Sequence, residues 1–182
     1  MVPETPLSPH GVFKPSQYRE YWTDRDGRTV ILRSITPNDK QIERELIDGL
    51  SPESSRYRFF RWIKKASDEM VGQLCDIDPN NEVAIMAEYT ENKKRRNVGV
   101  ARLFLDADLR GEFTIVVADD FQGHGLGRKF LEILFNIGRA KGLKSIYGTV
   151  LQNNNKMLSL MKKFGFSISK SLEHEIDVIL HL

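Results

Sequence analysis

The spacing of apolar and polar positions changes several times along the chain, and each change marks an element. Residues 1–16, "MVPETPLSPHGVFKPS", hold four prolines and no apolar period, so they read as an extended arm. "TVILRSI", Thr29–Ile35, is β-branched and apolar, a first strand. After the start signal "TPND", Thr36–Asp39, residues Ile42, Leu46, Ile47 and Leu50 recur at helical spacing. "SPES", Ser51–Ser54, and "SDEM", Ser67–Met70, repeat that capping logic and open two further helices. "EVAIMAEYT", Glu82–Thr90, and "NVGVARLFL", Asn97–Leu105, alternate as strands across the polar "ENKKRRN", which predicts a hairpin. "DADLRG", Asp106–Gly111, turns the chain into a third strand of this meander, "EFTIVVA", Glu112–Ala118.

The period then becomes helical, with Leu126, Phe130, Leu131, Leu134 and Ile137 on one face and Gly142 as a C-terminal cap. "KSIYGTVL", Lys144–Leu151, is a strand again, and strand–helix–strand predicts a right-handed crossover to a parallel neighbour. "NNNKMLSLMKKFGF", Asn153–Phe166, is a short helix closed by Gly165, and weak strands at "FSISK" and "EIDVILHL" end the chain. The pattern therefore predicts an α/β (α+β) fold with a mixed, mostly antiparallel sheet and one late parallel pair. It is expected as a single domain over residues 28–182 behind an arm over 1–27.

Composition narrows the class. Of 182 residues, 40% are hydrophobic and 29% charged, as in a soluble globular protein. A net charge of +2 is too small to argue for nucleic acid. The lone Cys75 excludes a disulfide framework and a cysteine metal cluster, and no metal site is expected. No apolar run approaches the roughly 18 residues that span a bilayer. The proline-rich start lacks the apolar core of a secretory signal. The expectation is a cytoplasmic protein with no membrane or nucleic-acid partner; oligomeric state is open.

The chemistry concentrates in "VVADDFQGHGLGRKF", Val116–Phe130. A strand, a glycine loop and a helix start present unpaired N–H groups and the positive end of a helix dipole, an anion site. Arg128 and Lys129 occupy a first turn that favours acids, which is consistent with a bound anion. The dinucleotide pattern G-x-G-x-x-G fails, because its last position falls on Arg128 or Phe130. The nucleotide-triphosphate loop fails as well, because Arg128 and Lys129 follow Gly127. What remains is Q-x-x-G-x-G, filled by Gln122, Gly125 and Gly127.

That motif resembles the pyrophosphate loop of the GNAT superfamily of acyl-CoA-dependent N-acyltransferases. "VLQNNNKMLSLMKKFGF", Val150–Phe166, is similar to the superfamily's next strand, asparagine-started helix and terminal Gly-Phe. "LSPESSRYRFF", "EFTIVVADDFQGHGLG" and "VLQNNNKML" resemble bacterial protein lysine acetyltransferases of the Pat type. The resemblance covers roughly Thr29 to Phe166. It implies a GNAT fold with acetyl-CoA lying where the parallel strands splay. Gln122, Gly123, His124, Gly125, Leu126, Gly127 and Arg128 would surround the pyrophosphate, mostly through backbone N–H groups. Val117 would pair its backbone with the pantetheine arm, and its amide would stabilise the oxyanion. Asn154, or a neighbouring asparagine, would help fix that arm; a plain helix N-cap is the other reading.

An amine of pKa about 10.4 must lose a proton before it attacks a thioester. Glu112, at the start of an apolar strand, is the candidate base or else an exposed edge residue, and the Pat-type resemblance favours the base. Asp119 and Asp120 are the alternatives, better suited to shaping the loop. Superfamily members often carry a tyrosine acid where this chain has Met161, a core-type residue, so no general acid is assigned. The implied reaction is direct acetyl transfer to a primary amine, a protein lysine first and a small amine second. A non-catalytic coenzyme-A-binding module is the third possibility. Cys75 reads as a buried core residue, His124 as solvent-facing, "KKRR", Lys93–Arg96, as a solvated turn, and "RYRFF", Arg56–Phe60, as helix core.

Overall fold

The computed structural model describes residues 18–182, so the arm expected over residues 1–16 lies outside the described residues. Among the described residues, regular structure begins at Arg19, earlier than the first expected strand. β1 (Arg19–Thr23) lies within the stretch expected as an arm and pairs antiparallel with β2 (Thr29–Ser34). Its charged flanks hide it from a pattern reading, because an edge strand buries little. The turn between them is held by Asp24, which accepts the N–H groups of Asp26 and Arg28 and the Arg28 guanidinium. Arg28 in turn stacks 3.8 Å over the Phe121 ring.

A short 3-10 turn, Pro37–Asp39, leads into α1 (Lys40–Gly49), α2 (Pro52–Phe59) and α3 (Asp68–Cys75). The caps act as expected: Ser51 accepts from Ser54 N–H and Ser67 from Met70 N–H. β3 (Glu82–Glu91) and β4 (Lys94–Leu105) turn on two residues only, Asn92 and Lys93, both left-handed at φ 50° and 64°. Such a primed turn follows the twist of the strands. Lys94–Arg96 therefore belong to β4 and not to a solvated turn, and Arg95 pairs with Glu88 at 2.8 Å. β5 (Arg110–Val117), α4 (Leu126–Ala140), β6 (Ser145–Leu151), α5 (Asn155–Lys163), β7 (Ser167–Lys170) and β8 (Glu175–His181) complete the chain.

The eight strands run in the order β1-β2-β3-β4-β5-β6-β8-β7. Every neighbouring pair is antiparallel except β5 with β6. This is the mixed sheet with one parallel pair that the pattern predicts. Neighbouring positions on β4 show which helices cover which face. A Cβ at Gly99 would meet Phe130 and Leu126, so that face carries α4. Arg102, on the opposite face, bonds Glu43 of α1 and the Leu74 carbonyl of α3. Arg102 is 1% exposed and Glu43 3%, a buried pair that Glu82 and Asn97 complete. Burial raises the Glu43 carboxyl pKa, and the Arg102 charge opposes that rise.

Candidate active site

β5 and β6 pair only from Arg110–Glu112 to Ser145–Tyr147 and then part. Gly148 lies at the parting, where a Cβ would meet the Phe113 ring at 3.0 Å. The direction of the free backbone groups follows from register. Ala118 N–H bonds the Val98 carbonyl at 2.9 Å, so alternate residues of β5 back to Glu112 face β4. Ile115 and Val117 therefore turn their N–H and C=O groups into the gap, where no strand meets them. The Val117 carbonyl accepts from the Gln122 side-chain amide at 3.1 Å. A cavity of about 690 Å³ fills this gap and runs between α2, β5, α5 and the start of α4.

At one end of the cavity is the glycine loop. Gly123 (φ 80°) and Gly125 (φ 103°) are left-handed, a conformation that suits glycine. Lys129 N–H, bonded to the Gly125 carbonyl at 3.0 Å, belongs to the first closed turn of α4. The N–H groups of Leu126, Gly127 and Arg128 thus have no helical partner. The two cations behind the loop are less telling than the sequence suggests. Lys129 pairs with Glu20 at 2.6 Å and Arg128 with Glu132 at 2.9 Å, so protein carboxylates already meet their charge.

Of the residues expected to hold the donor, Val117, Gln122, Gly123, Gly125, Gly127, Arg128 and Asn154 line the cavity. His124 and Leu126 do not. His124 turns to Asp26 at 2.9 Å, and Leu126 is buried beside Gly99. The Asn154 side chain accepts from Met157 N–H at 3.2 Å, so it is the N-cap of α5 as well as a cavity residue. Asp119 shapes the loop. Its carboxylate accepts from the N–H and hydroxyl of Ser51 and the hydroxyl of Ser54, tying α2 to the turn after β5. Burial would raise its pKa, but these donors hold it below the usual carboxylate range.

The other end lies towards the start of β5. Glu112 is exposed, is the last residue of β5 paired with β6, and does not itself line the cavity. Thr114, next on the same face, does line it, and its hydroxyl is buried without a hydrogen-bond partner. Val117 is five residues from Glu112, roughly 17 Å along a strand, whereas Ile115 is three residues away, about 10 Å. A base at Glu112 and an oxyanion donor at Val117 cannot flank one carbon. The gap-facing amide within reach of a Glu112 side chain and one water is that of Ile115.

Residues 44–166 match the Acetyltransferase (GNAT) family. The chain belongs to the GNAT acetyltransferase family. It is 31% identical over 166 residues to Acetyltransferase PA5475 of Pseudomonas aeruginosa, covering 90% of this chain and 89% of that one. It is 29% identical to the spermine/spermidine N(1)-acetyltransferase of Bacillus subtilis over 97 residues, 53% and 56% of the two chains. Among solved structures, the GNAT domain of S. lividans PAT superposes with a TM-score of 0.82 at 24% identity, covering 93% of this chain and all of that one.

For a GNAT acetyltransferase the donor is acetyl-CoA, and the cavity suits it. Its charged lining is five cations, Arg25, Arg58, Arg128, Lys156 and Lys163, of which Arg128 is paired with Glu132, against the single lining carboxylate Glu53. That balance matches a ligand bearing several phosphates. Met161 is fully buried, a core residue as expected, and Tyr147 is a β6 residue opposite Glu112.

Some cavity residues were missed by sequence reading. Arg25 comes from the β1–β2 hairpin, whose Trp22 ring backs the glycine loop, 3.5 Å from where a Gly125 Cβ would be. Tyr57 and Arg58 line the cavity, and Phe60 is 45% exposed, so "RYRFF" is not simply helix core. The Tyr57 hydroxyl donates either to Glu53, one turn earlier on α2, or across the cleft to the Asn153 carbonyl, each at 3.1 Å. Arg58 is pulled down to about 10 by burial and by the charge of Arg102, with Glu43, Glu82 and Glu112 opposing. An i, i+4 carboxylate–tyrosine pair on a capped helix was the available signal.

Proposed function

We propose that this acetyltransferase moves the acetyl group of acetyl-CoA directly to the side-chain amine of a protein lysine, with Glu112 as general base. The carrying observation is one cavity that joins the unpaired amides of Ile115 and Val117 to the glycine-loop start of α4. In this reading the free N–H groups of Leu126, Gly127 and Arg128 receive the pyrophosphate. Val117 meets the pantetheine arm as an added strand would. Ile115 N–H donates to the thioester oxygen as negative charge builds there. Glu112 takes the ammonium proton, directly or through one water, and frees the amine lone pair for attack; as the tetrahedral intermediate collapses the C–S bond breaks, and coenzyme A leaves as its thiolate, which takes up the second amine proton through water.

Relatives that acetylate polyamines suggest a small-amine acceptor as the second reading. Five cations against one carboxylate in the cavity lining disfavour a polycationic acceptor. A regulatory coenzyme-A-binding module is the third. Calorimetric titration with acetyl-CoA, beside desphospho-CoA, NADH and ATP, tests the donor: heat at micromolar concentration is expected with acetyl-CoA, and none would overturn the assignment. Glu112→Gln separates enzyme from sensor. Turnover on an acceptor lysine should fall about 10²-fold or more with acetyl-CoA affinity unchanged. An unchanged rate would remove Glu112 as the base.

A further inference from the structure

α2 runs along the cleft from one end to the other. Its first turn is tied by Ser51 and Ser54 to Asp119, beyond the Val117 end of β5, and its last turn brings Arg58 into the field of Glu112. The chain that leaves α2 therefore emerges beside the same cavity, which Phe60 still lines. Phe60 closes the helix in a left-handed conformation (φ 59°), with its N–H on the Arg56 carbonyl at 2.8 Å. The following loop is held from beneath: Ile63 N–H bonds the Ser55 hydroxyl at 2.8 Å, and Ala66 N–H bonds Asp48 at 2.7 Å.

Around this pinned loop, from the last turn of α2 onward, large aromatics and cations face outward. Phe60 is 45% exposed and Trp62 55%. Arg56, Arg61, Lys64 and Lys65 are all exposed and have no carboxylate partner among the described residues. The nearest carboxylates along the chain are engaged, Glu53 with Tyr57 and Asp68 with Arg44. Two large exposed aromatics and three unpaired cations on a held loop, with Arg56 of α2 as a fourth, make a contact surface in want of an anionic, partly apolar partner. Phe60 also lines the cavity, so the surface is continuous with the reaction cleft.

We propose that this loop docks the acceptor protein and that the segment carrying the acceptor lysine is acidic, with aspartate or glutamate flanking the lysine. The inference rests on the reading of the chain as a protein lysine acetyltransferase and names the substrate class that reading leaves open. The acceptor ammonium itself enters beside Glu112, while the flanking carboxylates meet the cations of the loop and an apolar residue covers Trp62.

The test uses three peptides with one central lysine, flanked by acidic, neutral or basic residues, together with spermidine. Thiol release gives kcat and KM at low and at 0.3 M salt, and anisotropy gives peptide affinity in the presence of coenzyme A. The acidic peptide is expected to lead the neutral one by about tenfold in kcat/KM, an advantage that salt removes. Lys64→Glu with Lys65→Glu should reverse the preference through KM, with acetyl-CoA affinity unchanged by calorimetry, and Trp62→Ala should raise KM for all three. Equal use and equal binding of the three peptides, or preference for the basic peptide or spermidine, overturns the proposal. So does tighter binding of single-stranded RNA than of the acidic peptide at this loop. A native protein that fails to bind acetyl-CoA removes the underlying reading instead.

Discussion

Two glycines of the loop, Gly125 and Gly127, should respond oppositely to the same added methyl group. Gly125 has φ 103°, and a Cβ there would lie 3.5 Å from Trp22, an ordinary contact. The cost of Gly125→Ala is therefore conformational, about 1–2 kcal/mol for a left-handed L-residue. At roughly 2–4 °C per kcal/mol for a chain of this size, its melting temperature should fall by about 2–8 °C. Gly127 is already helical, and a Cβ there meets only Leu160, at 3.9 Å. Alanine favours a helix over glycine by about 0.5–1 kcal/mol, so Gly127→Ala should melt at or slightly above the native temperature. Yet Gly127 lines the cavity at the free N–H groups, and a methyl there occupies the space a phosphate needs. Acetyl-CoA affinity should drop about tenfold or more, which is at least about 1.4 kcal/mol. Thermal melts and calorimetric titrations of the two variants separate the effects. Native affinity in a well-folded Gly127→Ala would refute the placement of pyrophosphate at the start of α4.

Other consequences concern the frame that holds the cleft. Arg102→Ala strands the buried Glu43 carboxylate and should cost about 3–5 kcal/mol, whereas Arg102→Met with Glu43→Gln should lose much less; chemical denaturation distinguishes them. The Asp119 carboxyl has a native pKa below its unfolded value of 3.8, so its contribution is complete above that pH and is lost as pH falls through the native value. Asp119→Asn should destabilise the protein at pH 7 and weaken acid sensitivity below about pH 4, read from urea midpoints against pH. Burial, with Glu43 second, pushes the Cys75 thiol up to about 12. Ellman's reagent should therefore react with Cys75 only at the rate of unfolding, and rapid labelling of the native protein would contradict that.

Much of the order was readable because helices such as α1 and α4 bury one regular face, and β3 and β4 are apolar runs buried on both faces. β1 was not readable for the converse reason: Arg19 and Glu20 open it, and none of its residues is fully buried. The length of β4 was hidden by charge. Lys94, Arg95 and Arg96 look like a turn until Glu88 and Asp120 are found beside Arg95 and Arg96. At the site, the glycine loop was legible because left-handed backbone demands a rare residue. The cation argument built on it was weaker than it looked, since the carboxylate that meets Lys129 comes from Glu20, far away in sequence. Tyr57, Arg58 and Arg25 reach the cleft only through the placement of α2 and the first hairpin, which no local pattern states.

The geometry of β5 links the candidate roles more tightly than any one residue does. Its even-numbered side chains, Glu112, Thr114 and Val116, lie on the face shared with Arg102, while the amides of Ile115 and Val117 open into the gap. Because residues advance by about 3.3 Å, choosing a position for the base chooses the rest. With Glu112 as base, the acetyl carbon must lie by Ile115, and Val117 is then about 7 Å farther along, in place to meet the pantetheine arm. The next turn, Asp119–Gln122, delivers the chain to Gly123 and Gly125 at the far end of the same cavity. Were the base instead at Asp119, the carbon would move to that end and no length of cleft would remain for the arm. The ties from Asp119 to Ser51 and Ser54 fit a structural carboxylate, which leaves Glu112, at the exposed start of β5, as the position that the proposed base requires.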